Sequence, residues 1–344
     1  MRKLVTVRKV REIIPIENAD NIELAKIDGW QCVVKKGEFK VGDLGVYFEI
    51  DSFLPIEEKY EFLRKPCYKK MADSSEGYRL KTIKLRGTLS QGLLLPLNIF
   101  DLDFEIVEGM DLTEKLNVRL YEPPIPAQLQ GKIKGMFPSF IRKTDQERIQ
   151  NLSDYFEKYK DVKFECSEKL DGSSMTVYYK DRNFGIGSRN LELLEEENNT
   201  LWKIVRILDL ERLMKEYSKN IALQGEIVGE GIQGNPYKLI GQKFYLFDIF
   251  DIDTGRHLTP EKRMEIYEWF KHRSNIEHVP IIAIRTIFQD FQTMDLLLGF
   301  VGSDVSRLNS KTLREGLVFK SCDYVDNDIV SFKVVNSEYL LKEG

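Results

Sequence analysis

Four of the chain's eleven prolines, Pro123, Pro124, Pro126 and Pro138, fall between Tyr121 and Phe140, together with Gly131 and Gly135. Proline fixes φ and removes a backbone donor, so neither a helix nor an interior strand runs easily through such a stretch. A chain interrupted in this way is expected to fold as two bodies. At 344 residues, each side is long enough to bury a core of its own. The boundaries read as residues 1–120, a proline-rich linker at 121–136 and a second domain at 137–344.

Before the interruption the sequence is written in short strands. LVTVRKV, IELAKIDGWQCVV around an Asp28-Gly29 turn, and VGDLGVYFEI are rich in β-branched and aromatic residues. YRLKTIKLRG and GLLLPL continue the pattern, with Gly and Pro as punctuation. Five short strands with little helix predict a small barrel of the OB type. After the interruption, strands alternate with helices. Leu201, Ile204, Val205 and Leu208 recur on one helical face, and Thr259-Pro260 supplies a cap and first-turn proline for a helix through Arg273. SMTVYYK, KFYLFDIFDI, EGLVFK and VSFKVV read as strands, and short turns such as Lys180–Asn183 favour antiparallel pairing. The second domain is therefore expected to be α+β, built on antiparallel sheets with flanking helices.

Charge narrows the function. The chain holds 51 Lys and Arg against 55 Asp and Glu, a net of −4, which excludes a protein held on nucleic acid by bulk positive charge. The balance is uneven: residues 1–100 carry 18 basic and 14 acidic groups, +4, leaving −8 for the remainder. Lys59–Arg86 alone has nine basic residues against three acidic, a solvated face or a local phosphate-facing patch. No run of about 18 apolar residues is present, and MRKLVTVRKV lacks the apolar core of a secretory signal. Cys32, Cys67, Cys166 and Cys322 have no metal-binding spacing, and three histidines in one stretch give poor support to a Ser–His or metal–His enzyme. The expectation is a cytoplasmic chain with reduced thiols and no membrane partner.

The sharpest motif is Glu168-Lys169-Leu170-Asp171-Gly172. Alone, it is also what a charged β-turn with Asp-Gly at its tip looks like. Lysine is a poor nucleophile at neutral pH, and lowering its pKa by about three units costs about 4 kcal/mol, from burial or a nearby cation. A divalent cation would serve, and needs carboxylates to hold it or its waters. Glu226 in QGEIVGEGIQG and Glu315 in REGLVFK each adjoin a glycine, and each alone also fits an ion-paired surface residue. Lys333 in SFKVV is either an inward phosphate contact or a solvent-facing strand lysine. Phe247 in FYLFDI is either core or a purine-stacking ring, and Arg189 in SRN is either a surface turn or an anion clamp.

Taken in order, EKLDG, SRN, QGEIVGEGIQG, FYLFDI, REGLVFK and SFK span Phe164–Val335 in six parts. This series resembles the covalent nucleotidyltransferase superfamily, and within it the ATP-dependent RNA ligases of Naegleria type, in which an OB domain precedes an adenylyltransferase (ATP-grasp-like ligase) domain. DGWQCVVKKGEFK, GVYFEIDSF, LRGTLSQGL and FIRKTDQERIQN extend the likeness over nearly the whole chain. The resemblance implies that Lys169 attacks the ATP α-phosphorus to give lysyl-AMP. It implies that Glu168 contacts the adenine amino group, and that Asp171, Glu226 and Glu315 hold Mg²⁺ or Mn²⁺, partly through waters. Phe247 would stack on adenine, Lys333 would touch the α-phosphate, Arg189 would clamp phosphate or the RNA end, and Arg148 would contact the triphosphate. AMP would pass to an RNA 5′-phosphate and be displaced by a 3′-OH, in RNA repair of a nicked duplex, by a monomer. The basic OB segment would orient the outgoing pyrophosphate.

One departure stands out. The superfamily's last motif often reads Lys-x-Lys, and here it is Lys333-Val334-Val335. Counting alternation from Glu315 puts Lys320 on the opposite face, where it would not compensate. A DNA ligase, a GTP-using transferase and a non-catalytic RNA-binding protein with a retired ligase domain are the alternatives. The intact Lys/Asp/Glu/Glu/Lys set speaks against the last.

Overall fold

The computed structural model describes residues 2–71, 73–124, 131–302 and 304–343. They form two compact units, one from the described residues of 1–124 and 337–344, the other from those of 125–336. Residues 125–130 of the stretch read as linker, Pro126 among them, lie outside the described residues. Ile133–Met136, at the end of that stretch, pairs as a strand with Leu191–Leu193.

In the first unit the central strand is Leu44–Phe48, paired antiparallel with Val5–Lys9 and Leu93–Pro96. Alternation along it feeds two cores. Val46 and Phe48 join Val5, Val7, Leu54, Tyr78 and Leu95, while Tyr47 joins Ala25, Ile27, Trp30, Cys32 and Leu94. The second core draws on the meander of Glu12–Pro15, Ile22–Ile27 and Trp30–Lys35. Both faces of the central strand are buried, which is why GVYFEI has so little polar alternation. Within the basic segment, Lys59, Arg64, Lys70, Arg79 and Lys84 each have an acidic partner, so the surplus is smaller than the residue count. The described residues of 337–344, a stretch the sequence reading gave to the second domain, group with the first. Glu338 pairs with Lys84 at 2.8 Å, Ser337 Oγ accepts from Gln91 Nε2 at 3.1 Å, and Leu340 packs on the Trp30 core.

The second unit holds two sheets. The larger runs Ile133–Met136, Leu191–Leu193, Asn183–Gly187, Ser173–Lys180, Ile221–Gly229, Gln242–Asp251, Arg256–His257, with Glu277–His278 parallel to Gln242–Asp251. Asp181 and Arg182 both take positive φ in the tight Lys180–Asn183 turn. One face of this sheet is covered by the helices Thr200–Ile207, Leu210–Tyr217 and Pro260–Lys271, around Val177, Leu223, Leu246 and Phe270. The caps are as the residue types dictate. Asn199 accepts from the Leu201 and Trp202 N–H groups, and Thr259 from that of Lys262.

The smaller sheet is antiparallel, in the order Ile281–Arg285, Phe164–Lys169, Gly316–Ser321, Ser331–Val335. Pairing is regular among its last three strands, and their alternation decides where chemistry can sit. Phe164, Cys166, Leu317, Phe319, Phe332 and Val334 face a core completed by Ile149, Ile287 and Leu297. The intervening residues, Lys169, Lys320 and Lys333 among them, face the other way. Cys32, Cys67, Cys166 and Cys322 are free thiols. No helix among the described residues is long and apolar enough to cross a membrane.

Candidate active site

The face opposite that core is the floor of the site. Lys169 lies across from Gly316, and Gly316 across from Val335; one step along, Ser167, Val318 and Lys333 align, and then Glu165, Lys320 and Ser331. Gly316 has to be small, since a Cβ there would meet Val334 O at 2.3 Å. The Phe164–Lys169 strand ends at the lysine, and Leu170–Gly172 carries the chain to Ser173, the start of a strand in the larger sheet. A Cβ at Gly172 would meet Ile227 O at 2.3 Å, so this crossing also depends on glycine.

Three carboxylates act on one ammonium, Glu315 by direct contact and Glu226 and Asp171 through their charge. Lys169 Nζ donates to Glu315 Oε1 at 2.5 Å. Burial favours the neutral amine, but the charges of Glu315, Glu226 and Asp171 outweigh it and hold the Lys169 pKa above the ordinary lysine value. Glu226, half-buried on the Ile221–Gly229 strand opposite Ser174, is pushed up to about 8 by desolvation. Lys169 opposes that shift, and Glu315 and Asp171 add to it. The cluster therefore carries more negative charge than its lysine balances, which fits an additional cation. Oxygen-only donors suit Mg²⁺ or Mn²⁺. Among the described residues no three acidic, His or Cys side chains converge closely enough to ligate a metal directly. Asp171, Glu226 and Glu315 therefore suit an ion that keeps waters between itself and part of the protein.

Phe247 owes its place to a β-bulge. Gln224 pairs with Asp248 and Gly225 with Leu246, so Phe247 is the extra residue. The shift is visible in the core, where Phe244, Leu246 and then Ile249 share one side. Phe247 instead joins the edge of a cluster of Leu170, Val228, Tyr237, Tyr245 and Val279, an apolar wall beside the lysine loop. Lys320 ties the bulge down: its ammonium donates to Phe247 O at 2.6 Å, pairs with Asp248 at 2.8 Å and lies 5.4 Å from the Phe247 ring centroid. Burial lowers the Lys320 pKa while Asp248 opposes the shift; burial likewise works against the Asp248 anion, but Lys320 prevails and keeps its pKa low. The expectation for Lys320 needs correcting. Glu315 precedes the strand Gly316–Ser321, so alternation does not reach back to it, and Lys320 shares the site-side face with Lys169 and Lys333. Because its charge is committed to Asp248, it still does not replace the missing cation at Val335.

The remaining residues are placed as follows. Arg148 is buried and its backbone bridges that of Lys333, whose N–H donates to Glu147 O at 2.8 Å. Arg189 is exposed, pairs with Asp145 at 3.2 Å and is near enough for its charge to act on Glu226. Glu168 is turned by alternation away from the Lys169 side. Burial raises its pKa, and Oε2 accepts from the Arg307 N–H at 2.8 Å. Sequence reasoning missed Asp248 and Tyr237. An acid inside the apolar run FYLFDIFDI was the available sign for Asp248, since such a group needs a buried partner. Tyr237, in a Gly/Pro loop, gave none.

Comparison with known proteins extends this geometry to the whole chain. The RNA ligase family matches residues 162–335, and an OB-fold domain family matches residues 4–97. A solved apo variant of Naegleria gruberi RNA ligase gives a TM-score of 0.90 at 45% identity, covering 99% of this chain and 98% of that one. A variant with AMP and Mn gives 0.90 at 45%, and one with ATP and Mn gives 0.90 at 44%, each covering 99% of both chains. No curated protein matches. The family match spans half of the chain and the likeness to the Naegleria enzyme nearly all of it, so the chain belongs to the RNA ligase family, with an OB-fold domain ahead of its ligase domain.

Proposed function

We propose that this chain is an ATP-dependent RNA ligase that seals 3′-OH and 5′-phosphate RNA ends through lysyl-AMP at Lys169 and an RNA-adenylate. The observation that carries the proposal is the Lys169 ammonium set among Glu315, Glu226 and Asp171 at the end of a strand, beside the apolar wall that includes Phe247. The Naegleria enzyme has been solved with ATP, AMP and Mn, and with PPi, which supports the same nucleotide chemistry here.

In the first step the neutral Lys169 amine attacks the α-phosphorus; a P–N bond forms, the bond to the pyrophosphate oxygen breaks, and pyrophosphate leaves. A bound divalent cation would supply positive charge that lowers the Lys169 pKa and offsets charge on the phosphates. Asp171, Glu226 and Glu315 would hold it, and the proton leaving Lys169 passes to a neighbouring carboxylate or to solvent. Phe247 stacks the base, and Lys333, with Arg148 beside it, meets the α-phosphate and the outgoing groups. Glu168, fixed by the Arg307 N–H, reads the adenine amino group, and Arg189 clamps phosphate or the RNA end. In the second step a 5′-phosphate oxygen of RNA takes AMP from Lys169, and in the third a 3′-OH displaces AMP to form the phosphodiester. The substrate is a nicked duplex, the enzyme acts as a monomer, and its free thiols suit a reducing, intracellular compartment.

The test is incubation with α-labelled ATP and Mg²⁺ or Mn²⁺. Wild-type protein should become covalently labelled and Lys169→Ala should not; wild-type protein that takes up no label overturns the proposal. Matched nicked duplexes with RNA or DNA at each side of the nick then test the strand preference, and GTP competition tests the nucleotide.

A further inference from the structure

Leu170–Gly172 crosses between sheets, so its backbone groups need partners outside the ladders. The Asp171 N–H donates to Tyr237 Oη at 2.6 Å, and Gln233 Nε2 donates to Gly172 O at 3.3 Å. Both partners belong to the loop joining Ile221–Gly229 to Gln242–Asp251. That loop has an unusual conformation: Gln233, Asn235 and Lys238 all take positive φ, where side chains other than glycine's are strained. Local bonds hold it there, Asn235 donating to Leu239 O and accepting from its N–H. A second loop braces it, because Pro236 O accepts from Thr312 Oγ1 at 2.8 Å and from Asn309 Nδ2 at 3.2 Å. The same second loop grips the other end of the nucleophile segment through the Arg307 N–H and Glu168. Tyr237 itself is buried against Leu170.

We propose that Tyr237 is a positioning residue: its hydroxyl, held by the 230–241 loop and braced by residues 306–312, fixes the Asp171 amide and with it the distance from the Asp171 carboxylate to Lys169. This rests on the ligase reading above. Without the hydroxyl, the Asp171 N–H loses its partner in an apolar pocket and the segment shifts to find another. The loss falls on holding the cation and placing the amine, leaving base stacking at Phe247 untouched.

The experiment compares wild type, Tyr237→Phe and Thr312→Val in single-turnover lysyl-AMP formation across a Mn²⁺ series, with ATP saturation and thermal melting measured on each. Tyr237→Phe is expected to stay folded, melting only a few degrees lower, with a wild-type KM for ATP, while half-saturating Mn²⁺ rises about five- to fiftyfold and labelling slows. Thr312→Val, which removes only a brace, should move the same way by a smaller factor and carries the comparison if Tyr237→Phe does not fold. Wild-type Mn²⁺ dependence in the folded variants overturns the proposal. So does a labelling loss that disappears once rates are corrected for the folded fraction, which would make Tyr237 structural alone. If wild-type protein takes up no label, the ligase reading itself fails and the inference falls with it.

Discussion

Lys169 Nζ lies 2.5 Å from Glu315 Oε1, although 146 residues separate the two in the chain. The contact is made because the strands carrying or following them are adjacent, Lys169 opposite Gly316. Glu315→Gln keeps the shape and removes the charge. Lysyl-AMP formation is expected to fall about a hundredfold and half-saturating metal to rise. Metal titration of labelling checks both, and unchanged metal dependence would remove Glu315 from the cation's surroundings.

Glu226 supplies a pH prediction. Its pKa stands near 8 in the folded chain, above the ordinary glutamate value, so between about 4.5 and 8 the folded state binds the extra proton. Folding stability without divalent cation should therefore decline as pH rises through that window, the reverse of a salt-bridged carboxylate. Melting curves at several pH values should slope downward by a few degrees, and Glu226→Gln should flatten that slope. Added Mg²⁺ or Mn²⁺ should flatten it too, and more effectively at high pH.

The pair Lys320–Asp248 has 4% side-chain exposure on each partner. Lys320→Met leaves a buried anion and is expected to cost about 3–5 kcal/mol, whereas Lys320→Met with Asp248→Leu should recover part of that loss. Because Lys320 also holds Phe247 O, the single variant should raise KM for ATP more than it lowers kcat. Denaturant unfolding of the double-mutant cycle, paired with labelling kinetics, measures both effects.

Val335 stands across Gly316 from Lys169. Val335→Lys puts a cation there and should shift the alkaline-side requirement of lysyl-AMP formation downward by about one pH unit, since a like charge favours the neutral amine. It should also lower stability, because position 335 is buried. A pH–rate profile with no displacement would show that the second lysine position lies outside the electrostatic reach of the nucleophile.

What sequence reasoning could reach depended on how local the cause was. The strands, the Thr259-Pro260 helix start and the order of motifs from EKLDG to SFK were legible because each is set by neighbouring residues. The face of Lys320 was not, because strand alternation holds only inside the strand and Glu315 lies just outside it. The bulge at Phe247 was equally hidden: it is defined by the register against Gln224 and Gly225, which no pattern within FYLFDI records. The grouping of Ser337 and Glu338 with the first unit rests on partners such as Lys84 and Gln91, some 250 positions away.

The charge balance around Lys169 also governs the enzyme between turnovers. An ammonium has no lone pair, so a lysine kept protonated by Glu315, Glu226 and Asp171 is inert toward stray acylating or alkylating metabolites. On the proposed mechanism its reactivity would appear only with the cation that accompanies ATP. On the proposed chemistry the acidic cluster would thus be a safety interlock as well as a cation holder, sparing the nucleophile from chemical damage between turnovers.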